Sequence, residues 1–453
     1  MEMEKIVENQ RAYFNSHQTF DLDFRIQQLK RLKQSIKLNL PKLIDAFMQD
    51  LNKTEYDLYL TELFIVNSEL NHMIKHLKSY AKPKKTKVDI INIFGKGRLI
   101  PEPYGVCLIV APWNYPLQLS LVPLIGAMAA GNTVVIKPSS AVPNIQKCIY
   151  DILSVFDERY ISCIVGGREE TAGLFDQKYD FAFFTGGKQS GQQLYEKLAK
   201  NLTPCVLELG GKSPVIVDFQ ADIEMSARKI VWGKFLNAGQ TCVAPDYCLV
   251  HEMVKDKFIE QLKLEIKKQF YFDELLTQNF VKIVNEKQKE RIQKLLDPAK
   301  IILGGKFDGL TLEPTIMDNV SFDDPVMQEE IFGAILPIIT YTNINEEIER
   351  LKTKSKPLAL YFFSEDKEKQ EYVMSNALYG GGCINDCIMH LTDSHLPFGG
   401  VGDSGMGNYH GERTFDTFSH YKSVLVRNSK FDIGLKYMPY TRKKLKTLKK
   451  FCK

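Results

Sequence analysis

The sequence predicts an α/β protein in which helices cover two mostly parallel sheets. Apolar, strand-like runs begin to alternate with helical segments after residue 105, and the alternation starts again beyond Gly211. This order of elements is typical of parallel sheets with helices on both faces. The chain has 453 residues, 44% hydrophobic and 25% charged, so it is long enough for two or three hydrophobic cores.

Residues 20–80 are predicted to be helical and to serve as scaffold. Apolar residues recur there at spacings of three and four, which places them on one helical face. They are Leu29, Leu32 and Ile36, followed after Pro41 by Leu43, Phe47 and Leu51. The basic run at residues 82–87 interrupts the pattern, and we expect a connector there with the first extended segment at Val88–Ile91.

The first α/β alternation covers residues 105–184. Gly131 and Asn132 supply the stop for its first helix. We expect a parallel sheet with the Rossmann-like architecture that commonly binds nucleotides. The predicted elements are strands at 106–111, 133–137, 160–165 and 181–184 and a helix at 117–130.

A second alternation follows Gly211. Val215–Val217 and Tyr247–His251 are predicted strands, and Met225–Phe235 is the predicted helix between them. A second α/β domain is the simplest interpretation of this restart.

Several protein classes do not fit the composition. Met1–Lys5 contains acidic residues where a secretory signal needs a basic segment, and no run of about 18 apolar residues suggests a membrane span, so we expect a cytoplasmic protein. The nine cysteines include no CxxC pair, so neither a disulfide framework nor a metal site is expected. Cys383 and Cys387 have a spacing that would put both on one helical face, as buried residues.

The C-terminal residues 436–453 differ in charge from the rest of the chain. They contain eight basic side chains and no acidic one, although the net charge of the whole chain is only +4. A nucleic acid partner is therefore not expected for the body of the protein. A basic amphipathic helix on an anionic membrane surface and a solvated terminus both remain open as interpretations. The residues on its apolar face are Leu445, Leu448, Phe451 and Cys452.

Cys242, in Gly239-Gln240-Thr241-Cys242, is a candidate covalent nucleophile, and Glu208 upstream is a candidate base. A thiol that attacks an aldehyde forms a tetrahedral adduct that can lose hydride, and a carboxylate can activate water against the resulting thioester. These two steps oxidise an aldehyde to an acid. A lone cysteine is more often a buried structural residue, so the assignment depends on the surrounding motifs.

An ordered set of motifs surrounds these two residues. It consists of Pro112-Trp113-Asn114-Tyr115-Pro116, Lys137-Pro138-Ser139, Phe184-Thr185-Gly186-Gly187, Leu207-Glu208-Leu209-Gly210-Gly211-Lys212, Glu329-Glu330-Ile331-Phe332-Gly333 and Leu396-Pro397-Phe398-Gly399-Gly400. With this order and spacing, from about residue 5 to about residue 425, the chain resembles the aldehyde dehydrogenase superfamily. The short N-terminus, Trp113–Pro116 and Gly405–Gly411 make it similar to the class 3 branch.

The resemblance implies a domain organisation and an activity. It implies an NAD(P)-binding domain at residues 1–207, with 82–100 contributing to a bridging and oligomerisation element. A catalytic domain at 208–412 and a bridging segment with the basic arm at 413–453 would follow. The implied enzyme is a homodimer that oxidises medium- to long-chain, aromatic or otherwise apolar aldehydes to carboxylic acids. Oxidation of a carotenoid aldehyde in bacterial pigment synthesis is a more specific alternative.

The resemblance also implies catalytic roles. Cys242 would be the nucleophile, the Asn114 amide would donate to the oxyanion beside the Cys242 backbone N–H, and Glu208 would activate the deacylating water. Losing an oxyanion donor typically costs on the order of 10²–10³ in rate. Two structural interpretations compete: Asn114 as a cap of the helix near Leu117, and Glu208 as the ion-pair partner of Lys212.

For the cofactor, the resemblance implies NAD. Lys137 would hold the adenosine ribose, and Glu330 would hold the nicotinamide ribose with Phe332 and Trp113 near the ring. The turn Gly186, Gly187 and Gly191 would lie against the pyrophosphate, as helix N-termini attract phosphate. The family often has a glutamate where this chain has Ser140, so NADP is a possible second cofactor. Gly187 also replaces a residue that is often polar in relatives.

Tyr115 and Phe398 are predicted to line an apolar substrate pocket, although aromatic residues are more often core. His410 is interpreted as a structural donor. Two other functional classes are alternatives: an acylating dehydrogenase that passes the thioester to coenzyme A, and a membrane-associated binding protein without chemistry. Glu208 argues against the first, and the combination of Cys242, Glu208, Asn114 and Glu330 argues against the second.

Overall fold

The computed structural model describes residues 2–273, 275–430 and 432–451. Its helices are α1 (Glu2–Asn15), α2 (Leu22–Leu38), α3 (Leu40–Leu51), α4 (Glu55–Leu58), α5 (Phe64–Tyr80), α6 (Pro116–Ala130), α7 (Pro143–Leu153), α8 (Arg168–Phe175), α9 (Lys188–Ala199), α10 (Ile223–Phe235), α11 (Lys255–Phe270), α12 (Glu286–Gln293), α13 (Pro325–Gln328), α14 (Ile344–Lys352), α15 (Lys367–Asn376), α16 (Glu412–Thr417) and α17 (Arg442–Phe451).

The strands are β1 (Lys84–Thr86), β2 (Gly95–Pro103), β3 (Val106–Val110), β4 (Thr133–Lys137), β5 (Ile161–Cys163), β6 (Phe181–Thr185), β7 (Cys205–Glu208), β8 (Pro214–Val217), β9 (Tyr247–His251), β10 (Tyr271–Phe272), β11 (Leu275–Leu276), β12 (Ile301–Leu303), β13 (Phe307–Asp308), β14 (Thr311–Leu312), β15 (Thr315–Met317), β16 (Ile335–Tyr341), β17 (Ala359–Phe363), β18 (Gly381–Ile384), β19 (Gly405–Met406) and β20 (Ser419–Arg427).

The N-terminal helices bury the face that their apolar spacing predicts. All six apolar residues named for this region lie in the core: Leu29, Leu32, Ile36, Leu43, Phe47 and Leu51. The sequence pattern did not indicate a π-helical turn at Tyr59–Leu63, which joins α4 to α5. That turn buries Glu62 completely.

The first large sheet has the order β19-β7-β6-β3-β4-β5, and its five longer strands are parallel. Helices α6 to α9 connect those strands in sequence. Because β3 lies between β4 and β6, the chain reverses its direction of winding at β3, and the crevice at the carboxyl ends of β3 and β6 is where such sheets bind ligands. The Rossmann-like fold predicted from the sequence is confirmed.

The second large sheet has the order β12-β15-β16-β9-β8-β17-β18 and is parallel except for β12. The predicted strands near Val215 and Tyr247 and the helix α10 are present. Short β19 comes from residues 405–406, late in the chain, and pairs antiparallel with β7 of the first sheet. The two halves of the chain are therefore joined through one sheet.

The expectation of an extended segment at Val88–Ile91 is wrong. The strand β1 lies earlier, in the basic run, and residues 90–92 form a 3-10 turn. Its position is set by pairing with β2, where Thr86 lies opposite Gly97. A Cβ at Gly97 would lie 2.2 Å from Thr86 Oγ1, so glycine permits that approach.

The helix expected around Cys383 and Cys387 is also absent, because Cys383 lies in β18 and Cys387 follows it in a loop. The glycines of β18 explain the difference. A Cβ at Gly382 would lie 2.0 Å from the carbonyl oxygen of Leu360, so the backbone packs closely on β17 as a strand.

A three-stranded antiparallel ribbon, β1-β2-β20, lies apart from the two large sheets. The C-terminal helix α17 follows it and has no buried residue. Cys452, expected on its apolar face, lies outside the described residues. Over the part of the chain that the structure describes, the helices are too short or too polar to cross a bilayer.

Candidate active site

Cys242 lies in a loop with an unusual backbone between α10 and β9. Asn237, Ala238 and Gly239 have successive positive φ angles of 55°, 53° and 74°. Glycine is required at the third position, since a Cβ there would lie 2.2 Å from the carbonyl oxygen of Gly333. Non-glycine residues with positive φ are uncommon and persist only where their surroundings hold them.

Hydrogen bonds from Asn237 and Gln240 hold this loop. Asn237 Nδ2 donates to the carbonyl oxygens of Asn114 and Gln240, each at 3.0 Å. Gln240 Nε2 donates to the carbonyl oxygen of Lys282 at 3.1 Å, and its Oε1 accepts from the N–H of Val284 at 3.0 Å. These side chains satisfy backbone groups that have no partner in a helix or sheet.

Asn114 follows β3 and reaches the cysteine loop. Its Nδ2 donates to the carbonyl oxygen of Gln240 at 3.0 Å, and its side chain is buried. The cap position of α6 belongs to Tyr115 and shows no side-chain capping bond, so the interpretation of Asn114 as a helix cap is wrong.

Glu208 is the last residue of β7 and is 3% exposed. Neither carboxylate oxygen has a hydrogen-bond partner among the described residues. Burial raises the pKa of Glu208 well above its usual range, because water no longer stabilises the charged form. The competing pairing with Lys212 is wrong, since Lys212 Nζ lies 2.5 Å from Asp246 Oδ2.

The surroundings of the Cys242 thiol, including Glu330 and Glu208, disfavour its ionised form. Burial raises the pKa of Cys242 to about 12, and the two carboxylates add to this effect. Burial likewise raises the pKa of Glu330 to about 8, with Asp246 contributing. The protonated thiol is therefore the favoured form of Cys242.

The loop that carries Glu330 and Phe332 is fixed from both sides. Lys212 Nζ donates to the carbonyl oxygen of Glu329 at 2.8 Å, and Asp246 Oδ1 accepts from the N–H of Ile331 at 2.9 Å. Arg291 donates to the carbonyl oxygens of Glu330 at 3.1 Å and Ile331 at 2.6 Å. Gly210 allows the carboxylate to approach, because a Cβ there would lie 2.1 Å from Glu330 Oε2.

The aromatic rings of Trp113 and Phe332 meet edge to face at 5.4 Å between centroids. Phe332 has a positive φ of 48°. A cavity of about 490 Å³ opens beside Glu330 and reaches Gly210, Gly211 and Lys188 at the start of α9. Residues from both halves of the chain therefore border one cleft.

The glycine turn after β6 fits a phosphate group. A Cβ at Gly186 would lie 2.9 Å from the Phe184 ring, and one at Gly191 would lie 2.8 Å from Leu209 Cδ2. Gly187 caps α9 and has open space around it. A helix start with unpaired N–H groups and no covering side chain suits an anion.

Lys137 is the last residue of β4, and its side chain is buried. Its Nζ donates to the carbonyl oxygens of Pro138 at 3.0 Å and Gly166 at 2.8 Å. Burial lowers its pKa. Ser140 is exposed nearby in the chain.

Tyr115 and Phe398 are both buried, and each has polar or ionisable neighbours. Tyr115 Oη lies 2.6 Å from Thr241 Oγ1, and the Lys53 ammonium lies 4.3 Å from its ring centre. Phe398 stacks on His410 at 5.4 Å. Burial lowers the pKa of His410 to about 4, which keeps that imidazole neutral.

The sequence interpretation missed two charged groups. Lys53 and Glu62 are fully buried beside Asn114, in the region interpreted as scaffold. Burial raises the pKa of Glu62 to about 7. The available signal was a charged residue on an apolar face, because Glu62 follows Leu58 and precedes Val66 at spacings of four. Within the described residues, histidine, cysteine and carboxylate side chains form no group of three or more suited to a metal ion.

The comparison with known proteins decides the family. Residues 1–424 match the model of the aldehyde dehydrogenase family. The chain belongs to that family. It is an NAD(P)-dependent oxidoreductase that acts on aldehydes, and the glycine turn, the helix start and the cleft beside Glu330 fit that cofactor.

Similar relatives cover nearly the whole length of this aldehyde dehydrogenase. The 4,4′-diaponeurosporen-aldehyde dehydrogenase of Staphylococcus aureus is 44% identical over 449 residues, covering 98% of this chain and 97% of that protein. Aldehyde dehydrogenase family 3 member B1 of Rattus norvegicus is 40% identical, with coverage of 97% and 95%.

Solved structures agree with the fold of this aldehyde dehydrogenase. The substrate-bound state of Staphylococcus aureus AldH has a TM-score of 0.96 at 43% identity, with 99% of each chain covered. The NAD+ complex of an aldehyde dehydrogenase from Bacillus cereus shares the fold, with a TM-score of 0.84 at 23% identity over 94% of this chain and 88% of that one.

Proposed function

We propose that this enzyme oxidises an apolar aldehyde to a carboxylic acid, with Cys242 as nucleophile, Asn114 as oxyanion donor and Glu208 as base for deacylation. The observation that carries the proposal is the buried carboxyl group of Glu208, which ends β7 and lacks a hydrogen-bond partner among the described residues. A carboxyl group with a raised pKa is suited to take a proton from water.

The chain's own groups divide the chemistry into two steps. In the first, the Cys242 thiol releases its proton to solvent as its sulfur attacks the aldehyde carbon, and the Asn114 amide and the Cys242 N–H stabilise the resulting oxyanion. NAD(P), when bound, accepts the hydride that leaves this adduct. In the second step, Glu208 removes a proton from water, which attacks the thioester and releases the acid and the thiol.

Two substitutions test this division. Cys242→Ser should abolish oxidation, whereas Glu208→Gln should still give one rapid burst of NADH per site without continued turnover. Stopped-flow absorbance at 340 nm distinguishes them. An unimpaired steady state in Glu208→Gln would contradict the role of Glu208.

For cofactor contacts, we propose Lys137 for the adenosine ribose, and Gly186, Gly187 and Gly191 for the pyrophosphate. Glu330 would hold the nicotinamide ribose, with Phe332 and Trp113 beside the ring. Ser140 offers no carboxylate to repel a 2′-phosphate, which supports use of NADP besides NAD. A kcat/KM comparison of both coenzymes tests this, and strict dependence on NAD would contradict it.

The substrate class follows from relatives. We propose a medium- to long-chain, aromatic or polyunsaturated aldehyde, with a carotenoid aldehyde as the specific candidate because the staphylococcal relative carries that name. Tyr115 and Phe398 are the proposed pocket residues. A spectrophotometric series from short aliphatic to long polyunsaturated aldehydes tests the class. Dependence of acid formation on coenzyme A would favour an acylating enzyme instead.

We propose the domain division 1–207, 208–412 and 413–453, with residues 82–100 in the bridging element, and a homodimer. Strand β20 forms the outer edge of the ribbon and exposes Leu425 and Val426, at 44% and 45%. Exposed strand edges readily pair with another chain, which supports association of two copies there. Light scattering of Leu425→Lys/Val426→Lys should show a monomer, and an unchanged dimer would place the interface elsewhere.

We further propose a cytoplasmic enzyme that contacts the inner face of the membrane through residues 436–453. Leu445, Leu448 and Phe451 are 53%, 40% and 63% exposed on α17 among lysines, and no residue of α17 is buried. Co-sedimentation with vesicles that contain anionic lipid should fall with salt and on deletion of residues 436–453. Binding that survives the deletion would contradict the proposal.

A further inference from the structure

A buried ion pair, Lys53 and Glu62, contacts the chain segment that carries Asn114. The side chains are 1% and 0% exposed, and Lys53 Nζ lies 3.6 Å from Glu62 Oε1. Taking two charges out of water costs several kcal/mol per ion, and well-packed apolar residues often replace such pairs without loss of stability. The pair is thus a poor stabilising device, and its contacts indicate another role.

Those contacts hold both ends of one short segment. Lys53 Nζ donates to the carbonyl oxygen of Asn114 at 2.9 Å. Glu62 Oε2 accepts from the backbone N–H of Gln118 at 2.6 Å. Residues 111–115 have no helix or strand of their own, so these tertiary bonds decide where the Asn114 amide lies.

The Asn114 carbonyl oxygen also joins this pair to the cysteine loop. It accepts from Lys53 Nζ and from Asn237 Nδ2, while the Asn114 amide donates to the carbonyl oxygen of Gln240. The ion pair joins Glu62 to Lys53, and hydrogen bonds then run from Lys53 through Asn114 to the loop before Cys242. The π-helical turn at Tyr59–Leu63 brings Glu62 into this position, and such turns occur frequently at functional sites.

We propose that Lys53 and Glu62 are positioning residues that aim the Asn114 amide at the oxyanion formed on the Cys242 adduct. This inference rests on the proposed function, because it assumes that Asn114 is the oxyanion donor. Neither residue touches the reacting atoms. Displacement of a catalytic group by about 1 Å can cost on the order of 10² in rate, so loss of the pair should slow acylation.

The test uses the apolar double variant Lys53→Met/Glu62→Leu, which removes both charges and leaves no unpaired ion. Glu62→Gln is a milder second variant that keeps an acceptor for Gln118. Burst rates of NADH formation, measured in the full-length enzyme, report acylation, and NADH titration reports cofactor affinity. We expect the burst to fall about 10²-fold in the double variant and less in Glu62→Gln, with NADH affinity unchanged.

Asn114→Ala in both backgrounds separates positioning from simple structural support. In the wild-type background it should slow the burst by about 10²–10³. In the double variant it should cost less than about threefold, because the amide is already misplaced. Purely structural support predicts that the two losses multiply.

A partly buried ion pair, in which Lys369 is 24% exposed, provides the control at the other end of the second sheet. Lys369 Nζ lies 2.9 Å from both oxygens of Asp218, which is 1% exposed. Asp218 follows the carboxyl end of β8, whereas Cys242 precedes the amino end of the adjacent parallel strand β9. Lys369→Met/Asp218→Leu should leave the burst rate within about twofold of wild type.

Each outcome decides between the two claims. A normal burst in Lys53→Met/Glu62→Leu, or a multiplied loss with Asn114→Ala, overturns the positioning role and leaves the proposed function intact. A normal burst in Asn114→Ala alone overturns Asn114 as oxyanion donor, and with it the inference. Loss of NADH affinity in the apolar double variant also overturns the positioning role.

Discussion

The two sides of the candidate site are built in opposite ways. On the nucleophile side, Asn114, Asn237 and Gln240 are buried and linked by hydrogen bonds of about 3 Å. On the carboxylate side, Glu208 has no hydrogen-bond partner among the described residues, and burial raises its pKa. The first arrangement fixes positions, whereas the second favours a change of protonation state. Catalysis in two steps uses both, because attack on the aldehyde needs fixed positions for the thiol and the oxyanion donor, whereas deacylation needs a proton acceptor.

The largest expected effect breaks the nucleophile side. Gly239→Ala should reduce activity more than about 100-fold and destabilise the protein by about 3 kcal/mol or more, because the φ of 74° and a contact of 2.2 Å with Gly333 exclude a Cβ. Chemical denaturation and burst kinetics measure both losses.

Gly173→Ala is the matched control. Gly173 lies in α8, and a Cβ added there would come no closer than 3.6 Å to the neighbouring Met3 side chain. It should leave activity unchanged and keep or raise stability. Equal behaviour of the two alanine variants would show that the loop is not held as described.

The second effect concerns the carboxylate side and is a pH dependence of protein stability caused by Glu330. The pKa of Glu330 is about 8 in the folded protein, above the usual 4.5. When the pKa of a group is higher in the folded state than in the unfolded state, the group contributes to stability. That contribution is full below the unfolded-state pKa and is lost as the pH rises through the folded-state pKa. Relative to Glu330→Gln, the wild-type free energy of unfolding should fall by up to about 1.4 kcal/mol per pH unit between about pH 5 and 8, with the slope decreasing near pH 8.

Urea titrations of wild type and Glu330→Gln at several pH values measure this slope. The exposed Glu260→Gln, in α11, is the control and should run parallel to wild type. Parallel curves for Glu330→Gln as well would mean that burial does not raise the pKa of this carboxyl.

A smaller effect tests how much the side-chain hydrogen bonds of the cysteine loop contribute to the free energy of unfolding. Gln240→Ala leaves the N–H of Val284 without its acceptor and should cost about 1–3 kcal/mol in free energy of unfolding. Gln177→Ala, which removes only a bond to the carbonyl oxygen of Gly173 near the surface, should cost under about 0.5 kcal/mol. A similar cost for both would indicate that the loop hydrogen bonds contribute little.

The smallest effect concerns a region outside both sides. Deletion of residues 442–453 should leave kcat toward a water-soluble aldehyde unchanged and the melting temperature within about 1 °C, because α17 buries no residue. A clear fall in kcat would assign the helix a part in turnover.

Much of the fold follows from local patterns, as β4 and β9 show: both have the bounds that the sequence predicts for them. Strand β1 does not, because its position depends on a partner strand and on the small Gly97. The order and spacing of the motifs predicted Asn114 and Cys242 as site residues. The same patterns could not predict Lys53 and Glu62, because their contacts with Asn114 and Gln118 form only when distant parts of the chain pack together.

Strand β19 has a consequence for how the protein is made. Its residues 405–406 complete the edge of a sheet whose other strands end at residue 208, and Gly405 lies opposite Glu208 itself. During synthesis, about 200 further residues must leave the ribosome before that edge closes, which at roughly 5–20 residues per second takes tens of seconds or less. Throughout that interval the nascent chain exposes an open strand edge beside its future base, a period in which a chaperone would be of most use.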